Sequence, residues 1–148
     1  YLARSGLFKL KLLKWVIEAL NAVPIKEQSG DSAAIREILA RLEQGDAVVI
    51  FPEGSRTHDG EMREFKRGVS LLVKRAKCAV LPVAIEGAFE AFPRTRRFPR
   101  FWTHRIAVLF GHPIAFDELM RDGAEKGLAR LEGEVRELRK ELKERMNH

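Results

Sequence analysis

The run Phe51-Pro52-Glu53-Gly54-Ser55-Arg56 places an acid, a glycine, a hydroxyl and a guanidinium in four consecutive positions. Gly54 lets backbone approach a ligand closely or take a positive φ. Ser55 offers a hydroxyl, and Arg56 presents a planar fork that matches two phosphate oxygens. Glu53 can orient Arg56 or accept a hydrogen bond from a substrate hydroxyl. The chemistry on offer is recognition of a phosphorylated ligand. The same residue types also fit a plain Pro-Gly turn with a surface Glu-Arg pair, so the surroundings must decide. His58 follows closely and suits either substrate contact or a solvated loop. His112 and Asp117 are five positions apart, with Pro113 between them. No cysteine or histidine cluster has metal-ligand spacing, and neither a phosphate-binding P-loop nor a dinucleotide fingerprint is present, so no metal is expected.

The elements that must hold these residues alternate between helix and strand. Residues 47–51, Ala-Val-Val-Ile-Phe, form a continuous apolar run rich in β-branched residues, which predicts a strand buried on both faces. The motif then stands at the carboxyl end of that strand, where open α/β sheets bind ligands. Ahead of it, Ala33, Ala34, Ile35, Ile38, Leu39 and Leu42 are spaced as one helical face, opened by Ser29-Gly30-Asp31 and closed by Gly45. A shorter run, residues 22–25, is a strand candidate, with Pro24 pointing to an edge or a strand start. After the motif a helix is expected over about 65–77, a buried strand over 79–85 and another over 106–110. From Asp117 onward the tail reads as helix, with Leu128, Leu131, Val135, Leu138 and Leu142 at alternating spacings of three and four. That pattern serves an amphipathic helix packed on the domain's own sheet or, less economically, a coiled-coil partner. The whole predicts an α/β fold with a mostly parallel sheet flanked by helices, ending in a C-terminal amphipathic helix.

Composition limits the rest. With 148 residues, 45% of them hydrophobic and 32% charged, the chain can bury one core, and a single domain over 1–148 is expected. The net charge of +6 favours polyanionic partners without choosing among nucleic acid, lipid headgroups and phosphorylated cofactors. Cys78 is the lone cysteine, which excludes an internal disulfide. Lys9, Lys11, Lys14 and Glu18 interrupt the greasiest stretch, so no membrane span is expected there.

Two further blocks turn the motif into a pattern. Thr57-His58-Asp59-Gly60 and Phe65-Lys66-Arg67-Gly68 follow it, and Val80-Leu81-Pro82-Val83-Ala84-Ile85-Glu86-Gly87 comes after a fitting gap. Together they resemble the third and fourth sequence blocks of the lysophosphatidic acid acyltransferase family, the third being written FPEG(S/T)R…G…FK.G. Residues 7–31 resemble the segment joining that family's first and second blocks, and residues 106–114 resemble its late strand ending in Gly-x-Pro-Ile. The resemblance implies a glycerol-3-phosphate acyltransferase-like fold and transfer of an acyl chain from coenzyme A or acyl carrier protein to a lysophospholipid hydroxyl, with 1-acyl-glycerol-3-phosphate the first candidate acceptor. It assigns Glu53, Gly54, Ser55 and Arg56 to the acceptor site.

In the family a histidine acts as general base and an aspartate five positions later orients it, in a block written H-x-x-x-x-D that precedes the segment corresponding to Leu7. That pair is therefore expected upstream of Tyr1, with no catalytic residue in the chain, which reads as N-terminally incomplete and inactive by itself. The His112/Asp117 pair has the spacing but falls in the Gly-x-Pro-Ile position, where the family has no catalytic role. The second block departs from the family pattern: its phosphate-binding arginine aligns with Glu27, leaving Lys26 as the nearest cation and a weaker addition to the site.

Membrane contact is expected from two segments. Residues 7–20 carry Leu7, Phe8, Leu10, Leu12, Leu13, Trp15 and Val16 beside three lysines at helical spacing, a face that suits the sheet, an upstream segment or lipid. Residues 92–102 intersperse Arg94, Arg96, Arg97 and Arg100 with Phe92, Phe98, Phe101 and Trp102. A peripheral position on the cytoplasmic face of a membrane follows. Interleaved bases and aromatics also suit single-stranded nucleic acid, but no nucleic-acid motif accompanies them, and no such partner is expected. A non-catalytic module that binds lipid phosphate is the other alternative.

Overall fold

In the computed structural model, residues 2–4, 23–25, 30–93, 100, 102 and 104–147 are described. The chain forms two compact units, Tyr1–Phe51 and Pro52–His148. In the first, β1 (Leu2–Arg4) pairs in parallel with β2 (Val23–Ile25), and Ala3 stands opposite Pro24. Pro24 has no N–H to give a ladder, which suits so short a pair. Helix α1 (Gly30–Glu43) follows the predicted bounds. Its Ile38 is buried, and Arg41 near its end pairs with Glu37 at 3.2 Å. The helix expected over residues 7–20 lies outside the described residues.

Among the described residues, the predicted strand at 47–51 has no ladder partner, and Val49, Ile50 and Phe51 are exposed. Apolar, β-branched composition prepares a segment for a sheet but cannot supply the neighbour whose N–H and C=O groups complete it.

The second unit is built around its last helix. Strand β3 (Val83–Glu86) pairs antiparallel with β4 (Ala107–Phe110), in the register Ala84 to Leu109 and Ile85 to Val108. The continuous strand expected over 79–85 is thus divided. Val80 makes an isolated bridge to Ile114, and Pro82, lacking an N–H, interrupts the ladder while its carbonyl accepts from the Gly111 N–H at 2.9 Å. One face of the pair, with buried Ala84 and half-buried Leu109, is backed by the last helix, whereas Ile85, Val108 and Phe110 on the other are exposed.

Helix α2 (Arg67–Ala76) begins two residues later than expected because Lys66 is extended, and it ends at Lys77 in the left-handed region with φ 48°. A single turn, α3 (Ala88–Ala91), follows Gly87. The tail is two helices rather than one. Gly123, at φ 95°, separates α4 (Phe116–Met120) from α5 (Ala124–Asn147). Helix α5 packs on β3, β4, α2 and α4 as an amphipathic helix of its own unit. Its Leu131 joins Phe65, Val73, Ile114 and Leu119 in the core, with Leu128 and Val135 packed alongside. Each such side chain contributes about 1.5–3 kcal/mol when fully removed from water.

Candidate functional site

The motif occupies one limb of a closed loop over residues 52–66. Its ends are tied by the Lys66 N–H, which donates to the Pro52 carbonyl at 2.9 Å. Gly54 has φ +74°, a conformation that strains other residues, and a Cβ there would meet the Lys66 side chain at 3.5 Å. This closeness brings Lys66 to the motif. Its neighbours Ser55 and Arg56 are both exposed at the loop's tip. The Arg56 guanidinium lies over the Phe92 ring, 5.2 Å from its centroid, so the first aromatic residue of the basic loop supports the arginine from behind.

The returning limb is held by its own turn. The Thr57 hydroxyl donates to Asp59 Oδ1 at 2.6 Å and accepts from the N–H groups of Asp59 and Gly60. The Glu61 N–H donates to Asp59 Oδ1, and Arg63 Nη2 donates to Asp59 Oδ2 at 2.7 Å. The Thr57 hydroxyl, the Glu61 N–H and the Arg63 charge together hold the Asp59 carboxyl below the usual aspartate range. His58 is exposed in this turn.

Glu53 is committed to the loop. Its Oε2 accepts from the Arg63 N–H at 2.8 Å, across ten residues of sequence. One carboxylate oxygen therefore organises backbone, which refines the expected orientation of Arg56 or a substrate hydroxyl. Helix α5 reaches the same limb. Glu132 Oε2 accepts from the Phe65 N–H at 3.0 Å, and Arg139 Nη2 donates to the Gly60 carbonyl at 2.5 Å. Arg139 Nε also donates to Glu86 Oε2, at the end of β3, at 2.7 Å. The Phe65 N–H first, then Arg136, lowers the Glu132 carboxyl below its ordinary value. For Arg139, burial works against the charge, and the Glu86 hydrogen bond and the Glu86 and Glu61 charges more than offset it, raising its pKa.

The structure thus gathers Glu53, Gly54, Ser55 and Arg56 in one loop, while Lys26 lies outside the described residues. Lys66 is the site neighbour that residue-by-residue reading passed over. The signal was present, since Lys66 belongs to the Phe65-Lys66-Arg67-Gly68 run. Glu132 and Arg139 carried no such signal. His112 is exposed in the turn after β4, and Asp117 is exposed in the first turn of α4. Among the described residues, no cluster of three histidine, cysteine or acidic side chains is arranged to hold a metal ion.

Exposed cations on a hydrogen-bonded loop suit an anionic group, and comparison with known proteins gives the loop a context. The chain is similar over 99% of its length to the 1-acyl-sn-glycerol-3-phosphate acyltransferase of Bacillus subtilis (strain 168), at 23% identity and covering 70% of that protein. It is 26% identical, over 63% of the chain, to a chloroplastic 1-acyl-sn-glycerol-3-phosphate acyltransferase of Arabidopsis thaliana, of which it spans 27%. The crystal structure of the 1-acyl-sn-glycerophosphate acyltransferase of Thermotoga maritima superposes with a TM-score of 0.77 at 27% identity, covering 96% of this chain and 56% of that one. The predicted α/β glycerolipid acyltransferase fold is therefore the fold observed, although among the described residues the sheet is not mostly parallel: β1 and β2 pair in parallel, and β3 and β4 antiparallel. The sequence profile of the Acyltransferase family matches residues 1–86, more than half of the chain, and with the motif loop and the shared fold it establishes that the chain belongs to that family.

Proposed function

We propose that the protein moves an acyl chain from a thioester, carried by coenzyme A or acyl carrier protein, to the free hydroxyl of a lysophospholipid at the cytoplasmic face of a membrane. The relatives named above are named for 1-acyl-glycerol-3-phosphate, and we take that as the acceptor. The observation that carries this reading is the loop over residues 52–66, which closes on itself, leaves Ser55 and Arg56 exposed and brings the Lys66 side chain against Gly54. A phosphate monoester offers several oxygens to such a group: Arg56 grips two, Lys66 adds a point charge, and Ser55 donates one hydrogen bond. Lys26 is a weaker addition.

In the reaction the acceptor oxygen attacks the thioester carbonyl carbon, a C–O bond forms, and the C–S bond breaks. A general base takes the hydroxyl proton, and the departing thiolate recovers a proton to leave as thiol. A histidine oriented by a carboxylate would serve as that base. Peripheral attachment is supported by Trp102, which is 99% exposed and lies two positions after Arg100 in sequence, a composition suited to a headgroup layer. No helix among the described residues is long and apolar enough to cross a membrane.

The test is steady-state kinetics of the full-length protein with acceptor and donor varied separately. Arg56→Ala should raise the acceptor KM roughly 10- to 150-fold, as expected for loss of a charge-assisted pair worth about 1.5–3 kcal/mol, and leave the donor KM nearly unchanged. Arg56→Lys should recover part of the loss. Equal rises in both constants would remove Arg56 from the acceptor site, and a parent protein with no transfer to this acceptor would reject the assignment of substrate.

A further inference from the structure

We propose that Arg139, far from the motif in sequence, is a positioning residue for acceptor binding, acting through the Gly60 carbonyl and Glu53. The inference rests on the acceptor-site reading above and adds to it a part played by the C-terminal helix. Arg139 is among the better-shielded charges of the second unit, with its side chain 15% exposed and that of its partner Glu86 13% exposed. Its guanidinium addresses two separate segments. Nε donates to Glu86 at 2.7 Å and Nη2 to the Gly60 carbonyl at 2.5 Å, while Nη1 stands 3.6 Å from Glu61. Rigid fork geometry lets one arginine fix two partners in a set relation, which a lysine ammonium on its flexible stem does poorly.

Seven residues earlier, about two turns along the same helix, Glu132 accepts from the Phe65 N–H at 3.0 Å. Helix α5 thus holds the returning limb at both ends, Gly60 and Phe65. Between those two fixed points lies Arg63, whose N–H donates to Glu53 at 2.8 Å. Glu53 is followed directly by Gly54, Ser55 and Arg56. The order of support runs from α5 to the limb, from the limb to Glu53, and from Glu53 to the exposed tip.

If Arg139 served only as half of a partly buried ion pair with Glu86, weakening the pair from either side would have the same consequences. Positioning makes the two sides unequal, because only Arg139 reaches Gly60. In the full-length protein, Arg139→Lys should keep a charge beside Glu86 yet raise the acceptor KM roughly five- to twentyfold, with the donor KM within twofold of the parent. Glu86→Gln should lower the melting temperature while leaving the acceptor KM within about twofold. Hydrogen exchange supplies a readout independent of turnover: the Arg63 and Phe65 amides should lose more protection in Arg139→Lys than in Glu86→Gln. The proposal is overturned if both variants lower stability alike with unchanged acceptor KM, or if the two variants alter the exchange of those amides equally. Should the parent transfer no acyl chain to the acceptor, the substrate reading fails, and the exchange comparison still decides whether Arg139 holds the limb.

Discussion

The two limbs of the 52–66 loop are built on opposite plans. At the tip, Gly54, Ser55 and Arg56 are exposed, with Arg56 leaning on the Phe92 ring. Along the returning limb, the Gly60 carbonyl and the N–H groups of Arg63 and Phe65 are engaged by Arg139, Glu53 and Glu132. The motif residues are exposed to solvent, and the polar groups of the returning limb are engaged within the fold. The part-buried polar groups of the returning limb lose partners when this base of the loop is altered, so its substitution should register as stability. Substitution at the tip should register as recognition.

The largest effect should come from the scaffold under the base. Gly87, next to Glu86, has φ +80°, and a Cβ there would lie 1.9 Å from the Arg105 carbonyl oxygen. Gly87→Ala must therefore move backbone between β3 and β4, at about 3 kcal/mol or more from the left-handed strain and the clash together. Chemical denaturation should show a much lower midpoint. A midpoint within error of the parent would mean that this turn relaxes freely and does not brace Glu86.

A smaller effect, with a distinct pH signature, is expected at Glu132. Its folded pKa is lowered, by the Phe65 N–H first and Arg136 second, so its charge stabilises the fold above the unfolded pKa. That contribution is lost as the pH falls from about 4.3, the unperturbed glutamate value, through the lower folded value. Glu132→Gln should cost about 1 kcal/mol at neutral pH, and the gap between variant and parent should close in acid. Melting curves from pH 7 down to pH 3 check this, and a gap independent of pH would assign the loss to packing.

Smallest in stability, and the sharpest contrast with the base, is Ser55→Ala. With the side chain exposed, the melting temperature should be unchanged, whereas the acceptor KM should rise roughly tenfold or more for one lost hydrogen bond to a charged phosphate. A lower melting temperature with unaltered acceptor kinetics would place Ser55 with the base and dissolve the division between the limbs.

What the sequence determined alone was local or periodic. The order Phe51-Pro52-Glu53-Gly54-Ser55-Arg56 named the loop because its chemistry lies in adjacent residues, and the three-and-four spacing from Leu128 to Leu142 marked the face that α5 buries. Gly54 and Gly87 fell where the backbone takes positive φ. Pairing was another matter. The apolar run at 47–51 has the composition of a buried strand and no ladder among the described residues, since a strand exists only through a neighbour that its own residues do not specify. Nothing in the spacing of the tail singles out Arg139, because its partners Glu86 and Gly60 stand 53 and 79 residues away. Periodicity assigns a residue to a face of its helix, but only the packing of that helix decides which carbonyl or carboxylate the residue meets.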